Sequence, residues 1–231
     1  CALPISQTGV EVLQLTSAEA IHHTLYFTQA SMRADDNTVV FVSNRGGGGW
    51  DLYGATLSDG IVTRMTDTGD INPFSPATSS TDDRVFYTAG SQVRAVDGTT
   101  LTEEVLADFG DASLGGCDVN PDGTQVLTVK RGVGDDALVT VGTDGSGAKA
   151  FFDAPRDVGY AQFCPKEPHW VLYSSGINQR MWTVSTRGLK DRPIYLHDAR
   201  QWITHESFLG AGDEVLFTRW PDALMAIRRN G

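Results

Sequence analysis

The stretch Ala34-Asp35-Asp36-Asn37, followed one residue later by Val39-Val40-Phe41-Val42, is an Asp-rich turn opening onto β-branched and aromatic residues. A short apolar run bounded by turn residues reads as a buried strand. The pattern returns four times. It appears as Thr81-Asp82-Asp83 before Val85-Phe86-Tyr87, and as Pro121-Asp122-Gly123 before Val126-Leu127. Pro165-Lys166-Glu167-Pro168 precedes Trp170-Val171-Leu172-Tyr173, and Gly210-Ala211-Gly212-Asp213 precedes Val215-Leu216-Phe217. Counted from residues 36, 83, 122, 167 and 213, the steps are 47, 39, 45 and 46. A period of this length marks a supersecondary unit that buries its faces only by stacking on its neighbours.

Order within each unit repeats too. After the turn and strand come a polar loop and another strand, such as Asp51-Leu52-Tyr53-Gly54-Ala55 or Met181-Trp182-Thr183-Val184. A tight turn follows, such as Ser58-Asp59-Gly60 or Thr143-Asp144-Gly145, and then a last strand. No apolar pattern of helical period and length interrupts the series. Four antiparallel strands per unit is the blade of a β-propeller, and the expected fold is all-β. The predicted units cover 22–66, 70–107, 112–152, 157–196 and 202–228, four complete blades and a partial fifth in a single incomplete domain. Glu11-Val12-Leu13-Gln14-Leu15-Thr16 resembles a last strand without its first three. It either completes the fifth blade and closes a ring, or the chain is the front portion of a larger propeller.

Composition narrows the function. Hydrophobic residues make up 40% of the 231 and charged residues 20%, ordinary for a soluble domain. No apolar run reaches the ~20 residues of a membrane span. The start, Cys1-Ala2-Leu3-Pro4, lacks the regions of a signal peptide, so the expected location is the cytoplasm, or the periplasm if a leader has been removed. Cys1, Cys117 and Cys164 form no metal-binding spacing and read as isolated thiols, the latter two buried. A net charge of −11 argues against a nucleic-acid partner.

Alternating strand direction places the loops between second and third strands on the same face as the entries to each blade. That face carries Arg45, Lys130, Arg131, Arg180 and Arg219, with Asp135 and Asp136 running against the trend. The opposite face collects Asp35, Asp36, Asp82, Asp83, Asp122, Glu167 and Asp213, with Asp59, Asp97 and Asp144 in the remaining turns. The expected result is a cationic mouth on an acidic protein, suited to an anionic ligand. The competing reading is that Asp sits in turns for backbone reasons and the arginines are solvated. His22, His23 and His205 also fall on the mouth face, and Trp202 and Trp220 lie near it as a sugar platform or as packing between blades.

At these residues the chain resembles the oligogalacturonate lyases, seven-bladed propellers acting on short pectin fragments. The resemblance is clearest at Leu13-Gln14-Leu15-Thr16, His22-His23-Thr24-Leu25-Tyr26-Phe27-Thr28, Asn178-Gln179-Arg180 and Trp202-Ile203-Thr204-His205-Glu206. It implies His205 as the catalytic base and Arg180 as the arginine assisting it. His22, His23, Arg45, Arg219 and Trp202 are the candidate substrate contacts by their place at the mouth, and the resemblance implies an anionic oligogalacturonate as the ligand. A divalent metal, usually manganese, is implied as well, with ligands in segments that would follow Gly231; on this reading the chain is truncated. Without the resemblance, His205 bonding to a neighbouring strand and Arg180 pairing with a nearby acid is the plainer account. A non-catalytic propeller that binds proteins, like TolB or WD-type repeats, and the propeller half of a two-domain peptidase are the alternative functions.

Overall fold

Val40, Phe41 and Val42 are all buried, because the strand carrying them is sandwiched between packed layers on both sides. A computed structural model describes residues 2–4, 8–132, 135–188, 190–198 and 200–230. Among them there is no helix, and the strands form small antiparallel sheets arranged as a five-bladed propeller. A ribbon of β1 (Ala2–Pro4) and β2 (Glu11–Leu13) comes first. Blade 1 consists of β3 (His22–Thr24), β4 (Thr38–Ser43), β5 (Asp51–Thr56) and β6 (Val62–Arg64). Blade 2 consists of β7 (Ala77–Thr78), β8 (Arg84–Ala89), β9 (Gln92–Asp97) and β10 (Glu103–Asp108). In blade 3 the strands are β11 (Leu114–Val119), β12 (Gln125–Lys130), β13 (Asp136–Gly142) and β14 (Ala148–Ala154). Blade 4 is β15 (Ala161–Phe163), β16 (Trp170–Ser174), β17 (Met181–Ser185) and β18 (Arg192–Pro193). Blade 5 has three strands, β19 (Trp202–Phe208), β20 (Glu214–Trp220) and β21 (Ala223–Arg228).

Each strand in a blade pairs with its neighbour in sequence, so tight turns set the register. Middle strands are apolar on both faces, whereas β21 alternates between half-buried and exposed residues. The core is correspondingly a series of slabs between adjacent blades. Val42, Leu52, Val85 and Tyr87 fill the first slab, and Phe86, Val93, Val126 and Val139 the second. Leu138, Val158, Val171 and Tyr173 fill the third, and Leu172, Met181, Ile203 and Phe217 the fourth.

The N-terminal strand behaves differently from the ring-closing alternative. Among the described residues β2 pairs with β1 and not with β21. Leu15 instead packs beside Phe41, Tyr53 and Ala55 on the face of blade 1 turned away from blade 2. Burial of Leu15 against that apolar face favours this placement.

Two details fix the mouth end of blade 1. Asp51 is fully buried and accepts bonds from Thr66 Oγ1 (3.0 Å), Thr68 N (3.0 Å), Gly69 N (3.2 Å) and Arg64 Nη2 (2.6 Å). One carboxylate thereby closes the loop leading to blade 2. Gly49, with φ +130°, lies against that loop so closely that a Cβ there would meet the Gly69 carbonyl oxygen at 1.9 Å. Only glycine fits.

On the opposite face the Asp-rich turns serve the backbone. Asp35 accepts from Asn37 N (2.9 Å) and Thr38 N (2.8 Å), and Asp97 from Thr99 N (2.9 Å) and Thr100 N (2.7 Å). Bonds from Thr100 N and Thr99 N hold the Asp97 carboxyl below its ordinary range. Cys117 and Cys164 are buried and free, and burial pushes the Cys117 thiol well up, which makes it inert. Cys1 lies outside the described residues.

Candidate active site

The segment after β3 crosses the propeller axis instead of turning directly into β4. Leu25 is buried in the first slab, while Tyr26 and Phe27 reach across to blades 4 and 5. The Tyr26 ring lies 5.7 Å from that of Tyr160, and Phe27 meets Tyr160 at 5.6 Å and His205 at 5.2 Å, both edge-on. Further along, Gln29 Nε2 donates to Asp118 Oδ1 of β11 at 2.8 Å. The inner strands are therefore joined through a polar and aromatic axis.

Asp118 also accepts from Phe163 N of β15 at 2.6 Å, joining blades 3 and 4. Burial pushes its carboxyl up to about 6, against the lowering effect of the bonds from Gln29 and Phe163. The folded chain thus holds this proton more firmly than the unfolded chain, whose Asp titrates near ~3.9. Its stabilising contribution is complete below about pH 4 and is lost as pH rises through about 6. Asp118→Asn, which turns an amide NH2 toward one of these two donors, is expected to be less stable than the parent at pH 4 and to regain on the order of 2 kcal/mol relative to it by pH 8, read by urea unfolding at both values.

Arg180 bonds the buried carboxylate of Glu206, the residue that follows His205 in the chain. His205 sits in β19 with φ +57°, at the irregularity where pairing with β20 shifts between Thr204 and Ser207. A non-glycine residue in this conformation carries a backbone cost and must be braced by its surroundings. The brace is Glu206, whose exposure is 0%. Its carboxylate accepts from Arg180 Nε at 2.8 Å and from the Tyr160 hydroxyl. Its backbone N–H donates to Tyr160 Oη at 2.9 Å, and its carbonyl accepts from Gln162 Nε2 at 2.8 Å. Blade 4 thus grips the bulge at four points, and the exposed His205 ring is left facing solvent beside Phe27. Arg180 does pair with a nearby acid, as the plainer account of the sequence holds. That pairing occupies Nε; among the described residues the Nη edge makes one hydrogen bond, from Nη1 to Ser175 O at 3.4 Å.

The other expected site residues are spread along the rim. His23 turns toward the slab between blades 1 and 2, its ring 5.3 Å from Trp50 and 5.7 Å from Phe74. His22 turns to the other side of blade 1, edge-on to Phe41, as neighbouring residues of a strand must. Arg45 stands over the Tyr53 ring at 5.5 Å. Trp202 pairs across the ladder with Trp220, and both are exposed on the outward face of blade 5. Arg219 lies 3.7 Å from Asp222. Arg180 is thus bonded to the residue next to His205, while His22, His23, Arg45, Arg219 and Trp202 stand in separate surroundings.

The mouth is also less cationic than its arginines suggest. Arg131 pairs with Asp136 at 2.7 Å, Arg180 with Glu206 and Arg219 with Asp222. Three carboxylates on the same face cancel three of the five expected charges. Tyr160, Glu206, Tyr26 and Phe27 are functional neighbours that residue-type reasoning passes over. A signal for Glu206 exists: it is an acid between Ile203 and Phe208, where both flanking apolar residues turn inward.

The model of the oligogalacturonate lyase family matches residues 3–141, more than half of the chain. The chain belongs to the oligogalacturonate lyase family. An oligogalacturonide lyase of Pectobacterium atrosepticum is 23% identical over 245 residues, which cover 92% of this chain and 62% of that protein. An oligogalacturonate lyase of Dickeya dadantii is likewise 23% identical, over 93% of this chain and 62% of its own length. The chain thus spans about 62% of the length of these relatives. In fold it is similar to an oligogalacturonate lyase solved in complex with manganese, with a TM-score of 0.82 at 21% identity over 96% of this chain and 66% of that one. TolB of Acinetobacter baumannii shares the architecture at a TM-score of 0.69 and 14% identity, over all of this chain and 57% of that one. Among the described residues of this lyase-family chain, no three His, Cys, Asp or Glu side chains gather to hold a metal ion. The set present does not fit a metal site, and no step below is routed through one.

Proposed function

We propose that the protein cleaves short oligogalacturonides by β-elimination, with His205 as the base and Arg180 assisting at the substrate carboxylate. Membership of the lyase family supplies the reaction class. What supports the residue roles is an exposed His205 at positive φ, next in the chain to the Glu206 whose carboxylate takes the Nε edge of Arg180.

In the substrate, the proton on C5 lies alpha to the C6 carboxylate. Its removal leaves an electron pair that adds negative charge to a group already anionic, so the proton is a poor acid. A guanidinium on the carboxylate stabilises that charge as it develops, and its two Nη groups match the two oxygens. An imidazole exposed to substrate takes the proton onto a ring nitrogen. The electron pair then forms the C4=C5 double bond as the C4–O bond breaks. The departing oxygen takes a proton from solvent, which balances the step. Glu206 has a separate part: it fixes the guanidinium plane so that the Nη edge need not be ordered when substrate arrives.

Substrate, activity and metal dependence of the whole protein belong to this reading, as does its seven-bladed extent. The test is ultraviolet absorbance of the unsaturated product during incubation with digalacturonate and manganese. Steady growth of that absorbance is expected. Saccharide binding without any product sinks the lyase reading.

A further inference from the structure

A cavity of about 480 Å³ opens on the mouth face beside the axis, with walls from blades 1 to 4. This volume lies in the range of small-molecule sites. Three aromatic rings line it: Tyr26 from the axis segment, Phe74 from the entry to blade 2 and Tyr160 from the entry to blade 4. Asn72, Ser113 and the backbone of Gly115, Gly116 and Gly159 supply polar groups. Its lining includes one cation, Arg131, and no carboxylate, in a chain with a net charge of −11.

Phe74 is the informative residue. It is 59% exposed, yet it is not a loose surface ring. Asn72 Oδ1 accepts from Phe74 N at 3.1 Å, and Asn72 Nδ2 reaches the Leu114 carbonyl of blade 3 at 3.3 Å. The ring itself stacks on His23 and meets Tyr26 edge-on at 5.9 Å. The opposite wall is kept close by Gly116, where a Cβ would come within 3.2 Å of the Phe74 carbonyl oxygen. Arg131 is likewise immobilised, by Asp136 and by the Gly159 carbonyl at 3.0 Å. A braced, exposed aromatic among hydroxyl, amide and carbonyl groups suits a ligand with an apolar face and a polar edge. A pyranose ring, with C–H bonds on one face and hydroxyls around its edge, has that character. The lack of carboxylates in the wall removes the repulsion an anionic sugar meets elsewhere on this surface.

Tyr160 links the cavity to the candidate active site. One side of this residue lines the cavity, its hydroxyl bonds Glu206, and the Arg180 guanidinium lies 5.8 Å from its ring centroid. We propose that the cavity binds the hexuronate residue adjoining the one that reacts at His205 and Arg180, with Phe74 stacked on its apolar face. This rests on the β-elimination reading for its choice of sugar. It makes Phe74 and Tyr26 binding residues for the neighbouring unit.

The test is calorimetric titration of this 231-residue chain with digalacturonate. Phe74→Ala is expected to weaken binding about tenfold, the loss of one stacked ring. Tyr26→Phe keeps the ring and removes only a hydroxyl, and is expected to weaken it about threefold. Failure of the parent chain to bind digalacturonate overturns the proposal, as does binding by both variants within twofold of the parent. The two readings fail separately. Product formation with undisturbed binding in Phe74→Ala removes the subsite alone, whereas weakened binding in that variant with no product from the whole protein removes the lyase chemistry alone.

Discussion

Replacing His205 with alanine in the whole protein is expected to lower kcat for digalacturonate by about 10²- to 10⁴-fold, the contribution of a positioned general base. The fold should tolerate the change. His205 is exposed, and among the described residues the only ring packed on it is Phe27, itself 42% exposed. Its φ of +57° also means that Ala, like His, carries a backbone cost there, so thermal stability should change little. The discriminating comparison is His205→Ala against the parent in the same absorbance assay, with circular dichroism melting as control. A variant that turns over digalacturonate at the parent rate removes His205 from the mechanism, whatever the fate of the family assignment.

The second large effect is expected at Glu206. Glu206→Ala removes a fully buried carboxylate and leaves the Arg180 guanidinium and the Tyr160 hydroxyl without their shared partner. Breaking a buried pair from one side costs about 3 kcal/mol or more, because the remaining charge stays desolvated. Glu206→Gln separates stability from positioning. It keeps the volume and an acceptor for Arg180 Nε, so the fold should lose less. It also removes the charge that holds Arg180 in plane, and kcat is expected to fall about tenfold or more. Equal kcat in Glu206→Gln and the parent would leave Glu206 as a packing residue. Urea unfolding reads the first effect and initial rates the second.

The propeller was legible because its cause is local. Asp36-then-Val40 and Asp83-then-Val85 are each complete within a few residues, and a turn plus a doubly buried strand needs no distant information. Faces followed from strand direction alone. The charge balance of the mouth did not, since Arg180 and Glu206 are 26 residues apart and their pairing depends on two blades packing together. His205 and Arg180 are residue types carried by a family resemblance, whereas Glu206 stands in the same matching stretch without a role, and its bond to Arg180 appears only when blades 4 and 5 pack. The axis segment was the least legible part. Leu25-Tyr26-Phe27 looks like ordinary core in sequence, and nothing nearby signals that Phe27 touches a strand at the other end of the chain.

That crossing segment has a consequence for the order of assembly. The ladder of each blade runs between strands adjacent in sequence, so blades can pair and stack one after another as they leave the ribosome. Tyr26 and Phe27 are made with the first blade but find Tyr160 and His205 only once the fourth and fifth exist. Until then two aromatic side chains from the start of the chain wait at an unfinished axis, exposed to water. The axis proposed to meet the sugar is therefore completed only after the strand carrying His205 has been made.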